Sequence, residues 1–272
     1  MPVTLADVLA ATEELWPASG AESWDASGLV SGDTSAVISH IHLTVDAVLD
    51  TVDEAIELGA DLLIAHHPLL LRGVTTVAED RYKGAVIARL IRGGCALLAA
   101  HTNADVVETG TSATLAARLA LGDVRPLIAG ETDGRGIGRM GTLAGPTTVG
   151  RLARLLGEIL PATAGGVRVS GDFDAEVTTV ALCAGAGDSY LAEDAVRAAD
   201  VYITSDLRHH PASEFRENAR LRGGPALIDV SHWASEWLWL DVAAEQLRTA
   251  LDGVTVTVSD LRTDPWDFVV VQ

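Results

Sequence analysis

Apolar residues fall along this chain in two alternating rhythms. "ADLLIAHH", "CALLAAHTNAD" and "GPALIDVSH" are almost continuously hydrophobic over a short run and then turn polar, whereas "DAVLDTVDEAIELG" and "KGAVIARLIRGG" space their apolar residues at helical intervals. The first pattern predicts strands buried on both faces, and the second predicts amphipathic helices. "TLADVLAATEEL" adds a helix that opens on Thr4 and Asp7, spaced as a capping box. Gly59 stops the second helix, Gly93 and Gly94 stop the third, and "TSATLAARLALG" makes a further one. "AVISHIHLTV" predicts an early strand with polar alternate positions. Strands alternating with helices indicate an α/β fold with mainly parallel or mixed sheets.

From 129 to 172 glycine and threonine become frequent, as in "GETDGRGIGRMGTLAGPTTVG", before the helix "VGRLARLLGEIL". The alternation then resumes with "EVTTVALCAGAG", "YLAEDAVRAA" and "DVYITSDLRHH", and ends in the helix "WASEWLWLDVAAEQLRTAL" and the strand "GVTVTVSD". The expected division is therefore one α/β domain from 1–128 plus 226–272, and a smaller α/β domain from 129–225. No repeat at a solenoid period is visible.

At 272 residues and 48% hydrophobic, the chain has enough apolar mass for a compact globular protein. No run approaches the roughly 18 apolar residues of a membrane helix, and the N-terminus lacks a basic start followed by an apolar block. A cytoplasmic location is expected. A net charge of −19, with Lys83 as the single lysine, disfavours nucleic acid and anionic membrane as partners, since both need a basic face. Cys95 and Cys183 sit inside apolar runs without a second cysteine at ligand spacing, so buried free thiols in a reducing compartment are expected.

The chemistry collects where the apolar runs stop. "DLLIA" ends in His66 and His67, "CALLAA" in His101, Asn103 and Asp105, and "ALIDV" in His232 with Glu236 close behind. Ligands of open α/β sheets gather outside the C-terminal ends of strands. Pro68 biases His67 toward an extended backbone, and neighbours on an extended chain point to opposite sides, which suits two nearby ions better than one. His232 and Glu236 are four apart and share a helical face, beside a stripe of Trp233, Trp237, Leu240, Ala244 and Leu247 that anchors the helix. Asp105 or Glu236 could bridge two ions through both oxygens, which an imidazole cannot. His66, His67, Asp105, His232 and Glu236 together give three nitrogens and two carboxylates, a set suited to zinc, iron, manganese, nickel or cobalt. Two divalent ions there would acidify water and attract an anionic ligand. His101, His209 and His210 are candidate partners of such ligands or proton carriers, His101 foremost because it shares a strand end with Asp105. His40 and His42 read as structural. "CAGAG" reads as a tight turn in preference to a phosphate cradle.

The stretches "SWDASGL", "HHPLLL", "AHTNAD", "GRGIGRMG", "YITSDLRHH" and "DVSHWASE", in this order, resemble the dinuclear metal-centre hexameric proteins, the NGG-one interacting factor three-like group of type-two GTP cyclohydrolase homologues. The resemblance spans nearly the whole chain. It implies metal ligands at His66, His67, Asp105, His232 and Glu236, two α/β domains with the metals in the cleft between them, and a toroidal homohexamer. Ala26 stands where the group usually has asparagine, Ser231 and Trp233 flank His232 where glycine and tyrosine are usual, and Ser205 replaces a common glycine. None of these removes a ligand, but Ala26 and Trp233 bear on the pocket's shape. The expected activity is metal-dependent hydrolysis of a small anionic substrate, with GTP suggested by the group's label and His101 as the catalytic proton carrier. Two alternatives stay open: a non-catalytic metal-binding or scaffold protein, and a metal-dependent phosphoesterase.

Overall fold

The computed structural model describes residues 2–271. In chain order the elements are α1 (Leu5–Leu15), β1 (Gly28–Ser31), β2 (His40–Thr44), α2 (Leu49–Glu57), β3 (Leu62–Ala65), α3 (Tyr82–Gly93), β4 (Ala96–Ala99), α4 (Thr102–Asp105) and α5 (Thr111–Arg118). There follow β5 (Gly122–Arg125), β6 (Ile128–Ala129), β7 (Gly136–Ile137), β8 (Arg139–Thr148), α6 (Val149–Ile159), β9 (Arg168–Ser170) and β10 (Glu176–Ala186). The last are α7 (Asp194–Arg197), β11 (Val201–Ser205), α8 (His209–Arg222), β12 (Ala226–Val230), α9 (His232–Ala250) and β13 (Thr255–Val258). The fold is α/β with mixed sheets. Among the described residues no helix is long and apolar enough to cross a membrane.

The chain forms two compact units, Met1–Ala104 with Leu240–Thr263, and Asp105–Trp239 with Asp264–Gln272. The first holds a five-stranded sheet in the order β1-β4-β3-β2-β13, parallel except where β1 runs against β4. Every residue of "LLIA" and "ALLA" is buried because the strands are central. Val52 and Ala55 of α2 and Val86 and Leu90 of α3 pack with Leu63 and Leu97 in one core. The second unit holds a six-stranded sheet, β5-β8-β10-β11-β12-β9, in which β10, β11 and β12 are parallel and the outer strands antiparallel. These units divide the chain differently from the expected boundaries at 128 and 226. Residues 105–128 and 226–239 lie in the second unit, because β5 hydrogen-bonds to β8 and β12 to β11.

Each unit secures its parallel strands with the same aspartate device. Asp61, just ahead of β3, accepts from the Ser39 and His40 backbone N–H groups and the Ser39 hydroxyl at 2.7, 3.0 and 2.7 Å. Asp200, just ahead of β11, accepts from the Thr178 and Thr179 N–H groups and the Thr179 hydroxyl at 2.9, 2.7 and 2.8 Å. Their own carbonyls accept from Ala96 and Ala226, the first residues of the next parallel strands. Three parallel strands thus start level in each unit, and their C-terminal ends are where the chemistry sits.

One expectation is revised and one helix is added. "YLAEDAVRAA" is not one helix: only the single turn of α7 is helical there, after a 3-10 turn at Asp188–Tyr190. The polar α8, which buries Phe215 alone, carries too weak an apolar stripe to announce itself.

Candidate metal centre

In the first unit the ladder runs one step past β3. The His66 and His67 N–H groups donate to the Thr44 and Val45 carbonyls at 3.0 and 2.8 Å, and the chain bends at both residues. The bend brings the two imidazoles together, with ring centroids 5.0 Å apart, instead of leaving them on opposite sides as an ideal strand would. His101, beyond the end of β4, joins them at 5.3 Å from His66 and 5.5 Å from His67. One ligand atom from each of His66, His67 and His101 lies within 4.8 Å of the others, so this cluster could hold a metal ion.

The hydrogen bonds show which nitrogen each ring presents. His66 Nδ1 lies 2.8 Å from the Ala100 carbonyl, His67 Nδ1 2.7 Å from Asp46 Oδ1, and His101 Nδ1 2.7 Å from Asp25 Oδ1. A carbonyl and ionised carboxylates only accept, so each Nδ1 carries the proton and donates it, leaving the Nε2 lone pair of a neutral ring for a cation. The orienting acids are themselves held. Thr263 donates its hydroxyl to Asp46 at 2.5 Å. The Asp25 side chain is fully enclosed and accepts from the Thr102 N–H and hydroxyl, the Ala26 N–H and the Ser27 hydroxyl. Burial alone would raise the Asp25 pKa, but the bonds from Thr102, His101 and Ser27 hold it far below the usual carboxylate range.

In the second unit His232 opens α9 and Glu236 follows one turn later, with His232 Nε2 3.0 Å from Glu236 Oε1. His232 Nδ1 lies 2.7 Å from Asp206 Oδ2. Asp206 follows β11 in the left-handed region, at φ 57°, a rare conformation for a residue with a Cβ. Burial opposes a charge on His232, yet Glu236 and Asp206 on either side raise its pKa well above the ordinary histidine value. Asp206 and Glu236 thus flank the ring, one at each nitrogen. Glu236 is buried, and the backbone leaves room for it: a Cβ on Gly185 would come 2.2 Å from Glu236 Oε1 and 3.2 Å from His232 Nε2. Gly185 has φ +72° and donates its N–H to the Ser235 hydroxyl at 2.9 Å, while that hydroxyl donates to the His232 carbonyl at 2.8 Å. The glycine of "CAGAG" thus serves a close approach to the candidate ligands.

Asp105 closes the turn of α4 and accepts from the Thr111 hydroxyl at 2.5 Å. Behind it lies Arg139 of the "GRGIGRMG" stretch, a buried cation that donates to the Gly136 and Gly138 carbonyls at 2.7 Å and to the Val107 carbonyl at 2.5 Å. Burial lowers the Arg139 pKa while Glu108 and Asp105 oppose that shift. Cys183 is buried and free, its thiol pushed up to about 12 by desolvation and then by Asp105 and Glu236. His101 and Asp105 in "HTNAD" repeat the spacing of His232 and Glu236 in "HWASE", and each pair follows the third parallel strand of its sheet.

The sequence singles out none of Asp25, Asp46 and Asp206, and it gives Gly185 only as part of a tight turn. Asp46 and Asp206 lie beyond the ends of β2 and β11, so the rule that located the histidines also applies to them. Asp25 is in the stretch "SWDASGL", whose polar residues carry no spacing signal. His209 and His210 lie exposed at the start of α8, their rings 5.2 Å apart. His40 and His42 share the Thr257 hydroxyl at 2.8 Å, in a structural role.

The sequence model of Duf34/NIF3 (NGG1p interacting factor 3) matches residues 3–265. The chain belongs to the Duf34/NIF3 family. A Streptomyces coelicolor protein named GTP cyclohydrolase 1 type 2 homolog is 49% identical over 271 residues, covering 96% of this chain and 93% of that protein. A Mycobacterium leprae protein of the same name is 33% identical over 375 residues, with 98% and 96% covered. Among solved structures, a Bacillus cereus protein related to NIF3 superposes with TM-score 0.89 at 23% identity, covering 99% of this chain and all of that one. A Staphylococcus aureus hypothetical protein gives 0.89 at 26%, with 99% and 100% covered. The α/β architecture is therefore that of the Duf34/NIF3 family.

Proposed function

We propose that this Duf34/NIF3 chain is a dinuclear metal protein that hydrolyses a small anionic substrate, with His66, His67, Asp105, His232 and Glu236 as ligands and His101 as proton carrier. In this reading the five ligands serve one dinuclear centre. The observation that carries it is the uniform orientation of the imidazoles. His66 and His67 turn Nδ1 to an acceptor, leaving Nε2 for a cation, His101 turns Nδ1 to Asp25, leaving Nε2 for a proton, and His232 turns its own Nδ1 to Asp206. Partners of this kind fix the tautomer and raise ligand basicity, an arrangement common to metal-binding histidines.

When bound, two divalent ions of zinc, iron, manganese, nickel or cobalt supply Lewis acidity toward water and toward an anionic oxygen. The chain's own groups supply the rest. The buried Glu236 carboxylate and Asp105, held in place through Thr111, would hold the ions together with the imidazoles. His101 can take a proton at Nε2 while the Asp25 carboxylate stabilises the resulting imidazolium. The relatives' name supports GTP as the first substrate to test, and the homohexamer and cytoplasmic location belong to the same reading.

Elemental analysis of the purified protein should find about two transition-metal equivalents per chain. Replacing both Asp105 and Glu236 by alanine should empty the site, and metal retained at full occupancy would refute the ligand set. Turnover of GTP or of generic phosphoesters, lost when the metal is stripped, supports an enzyme. A metal-replete protein silent across a broad nucleotide and phosphoester panel would instead be a binding or scaffold protein.

A further inference from the structure

Trp24 is held beside the imidazole cluster and yet left open to solvent. The residue is 58% exposed, and its ring lies 5.9 Å from the His101 ring at an interplanar angle of 77°. An exposed tryptophan usually belongs to a loose loop, but the chain on both sides of this one is tied down. The Glu22 N–H donates to the Thr102 hydroxyl at 2.9 Å, and Asp25 accepts from the Thr102 N–H and hydroxyl at 3.1 and 2.5 Å. A further turn bond runs from the Asp25 N–H to the Glu22 carbonyl at 2.9 Å. Residues 22 and 25 are thus both anchored to Thr102, the neighbour of His101, and the enclosed Asp25 carboxylate also holds the His101 ring. The fold fixes a large aromatic surface next to the candidate proton carrier without burying it.

We propose that Trp24 is the platform on which a planar heteroaromatic ring of the substrate, of nucleobase type, stacks beside His101. This rests on the reading of the site as one for a small anionic substrate and adds what the anion is attached to. Indole is the largest side-chain π-surface, and a ring docked on it needs no specific hydrogen bonds, so the contact sorts ligands by the presence of a flat ring. A substrate bound through phosphate alone has no use for such a surface. A preorganised side chain also loses little freedom when the ring arrives.

Calorimetric titration tests the proposal with GTP and with inorganic triphosphate, which offers comparable charge and no ring, on metal-loaded wild type, Trp24→Ala and Trp24→Phe. Trp24→Ala should weaken GTP about 10-fold or more and leave triphosphate unchanged, and Trp24→Phe should recover most of the loss. Thermal unfolding and metal content are read on each variant, and both should match wild type. GTP binding unchanged in Trp24→Ala would overturn the proposal. So would a parallel loss of both ligands, which would mark Trp24 as support for the anion site or the fold. Wild type binding triphosphate as tightly as GTP would overturn the ring platform while the anionic-substrate reading stands. Wild type binding neither would remove that reading and the platform with it.

Discussion

His101 Nδ1 meets Asp25 Oδ1 at 2.7 Å, joining residues 76 positions apart in the chain, and that carboxylate has no exposed surface. The contact ties the stretch "SWDASGL" to the end of β4 and sets the orientation of one imidazole. Asp25→Ala should leave the Thr102 N–H and the His101 Nδ1–H without their acceptor in a buried setting. The expected cost is about 1 to 3 kcal/mol of unfolding free energy, read from urea denaturation. Asp25→Asn keeps the volume and one accepting oxygen, so it should lose less stability. Both variants should shift the pH dependence of any metal-dependent turnover, because the asparagine cannot stabilise a charged His101. An unchanged pH profile would mean that His101 carries no proton.

Asp46 and Asp206 make a parallel case, one in each unit. Each holds the Nδ1 of a candidate ligand at 2.7 Å, from His67 and His232 respectively. Removing such an orienting partner typically lowers metal affinity about 10- to 100-fold without removing a ligand. Asp46→Ala and Asp206→Ala should therefore stay folded and lose metal to a chelator at lower concentration than wild type does. Equal chelator midpoints would show that neither histidine binds metal.

Much of this was readable before the structure, for a physical reason. β3, β4 and β12 are buried on both faces, so their sequences are apolar runs that stop where the chain reaches polar surroundings, and the histidines stand at those stops. The helix of His232 and Glu236 was legible from its spacing and its tryptophan and leucine stripe. The antiparallel strands at the rim of the second sheet were not: β5 is exposed throughout and β9 nearly so, leaving no periodic signal. Gly185 was also illegible in its role, since its neighbours Glu236 and His232 lie about 50 residues ahead and only the fold brings them together.

The aspartates at the strand starts predict an acid-side loss of stability. Burial works to raise the Asp61 pKa, but the bonds from Ser39 and His40 outweigh it and hold the group below the usual carboxylate value. A carboxyl with a lowered folded-state pKa contributes stability that is present above its unfolded value, near pH 4, and lost as the pH falls below that toward the folded value. Asp61→Asn should therefore lower the urea midpoint at pH 6, and the gap to wild type should narrow as the pH is taken progressively below about 4. A difference that stays constant across that range would assign the effect to hydrogen-bond geometry and not to charge.

Gly185 gives the sharpest test of whether Glu236 is placed for metal. Alanine there faces two obstacles, a backbone at φ +72° and a Cβ that would meet Glu236 Oε1 at 2.2 Å. Relief requires the Glu236 carboxylate, the far end of a flexible side chain, or the backbone at 185 to move, and the first change pulls the acid away from His232. Gly185→Ala should cost at least about 1 kcal/mol of stability from the left-handed backbone alone. It should also lower metal content, which a purely conformational penalty would not touch once the protein is folded. Gly145→Ala is the control, because its φ is unremarkable and a Cβ there meets nothing within 4 Å. Metal occupancy should fall in the first variant and match wild type in the second. If Gly185→Ala loses stability but keeps its full complement of metal, Glu236 is not a ligand and the carboxylate is there to pair with His232.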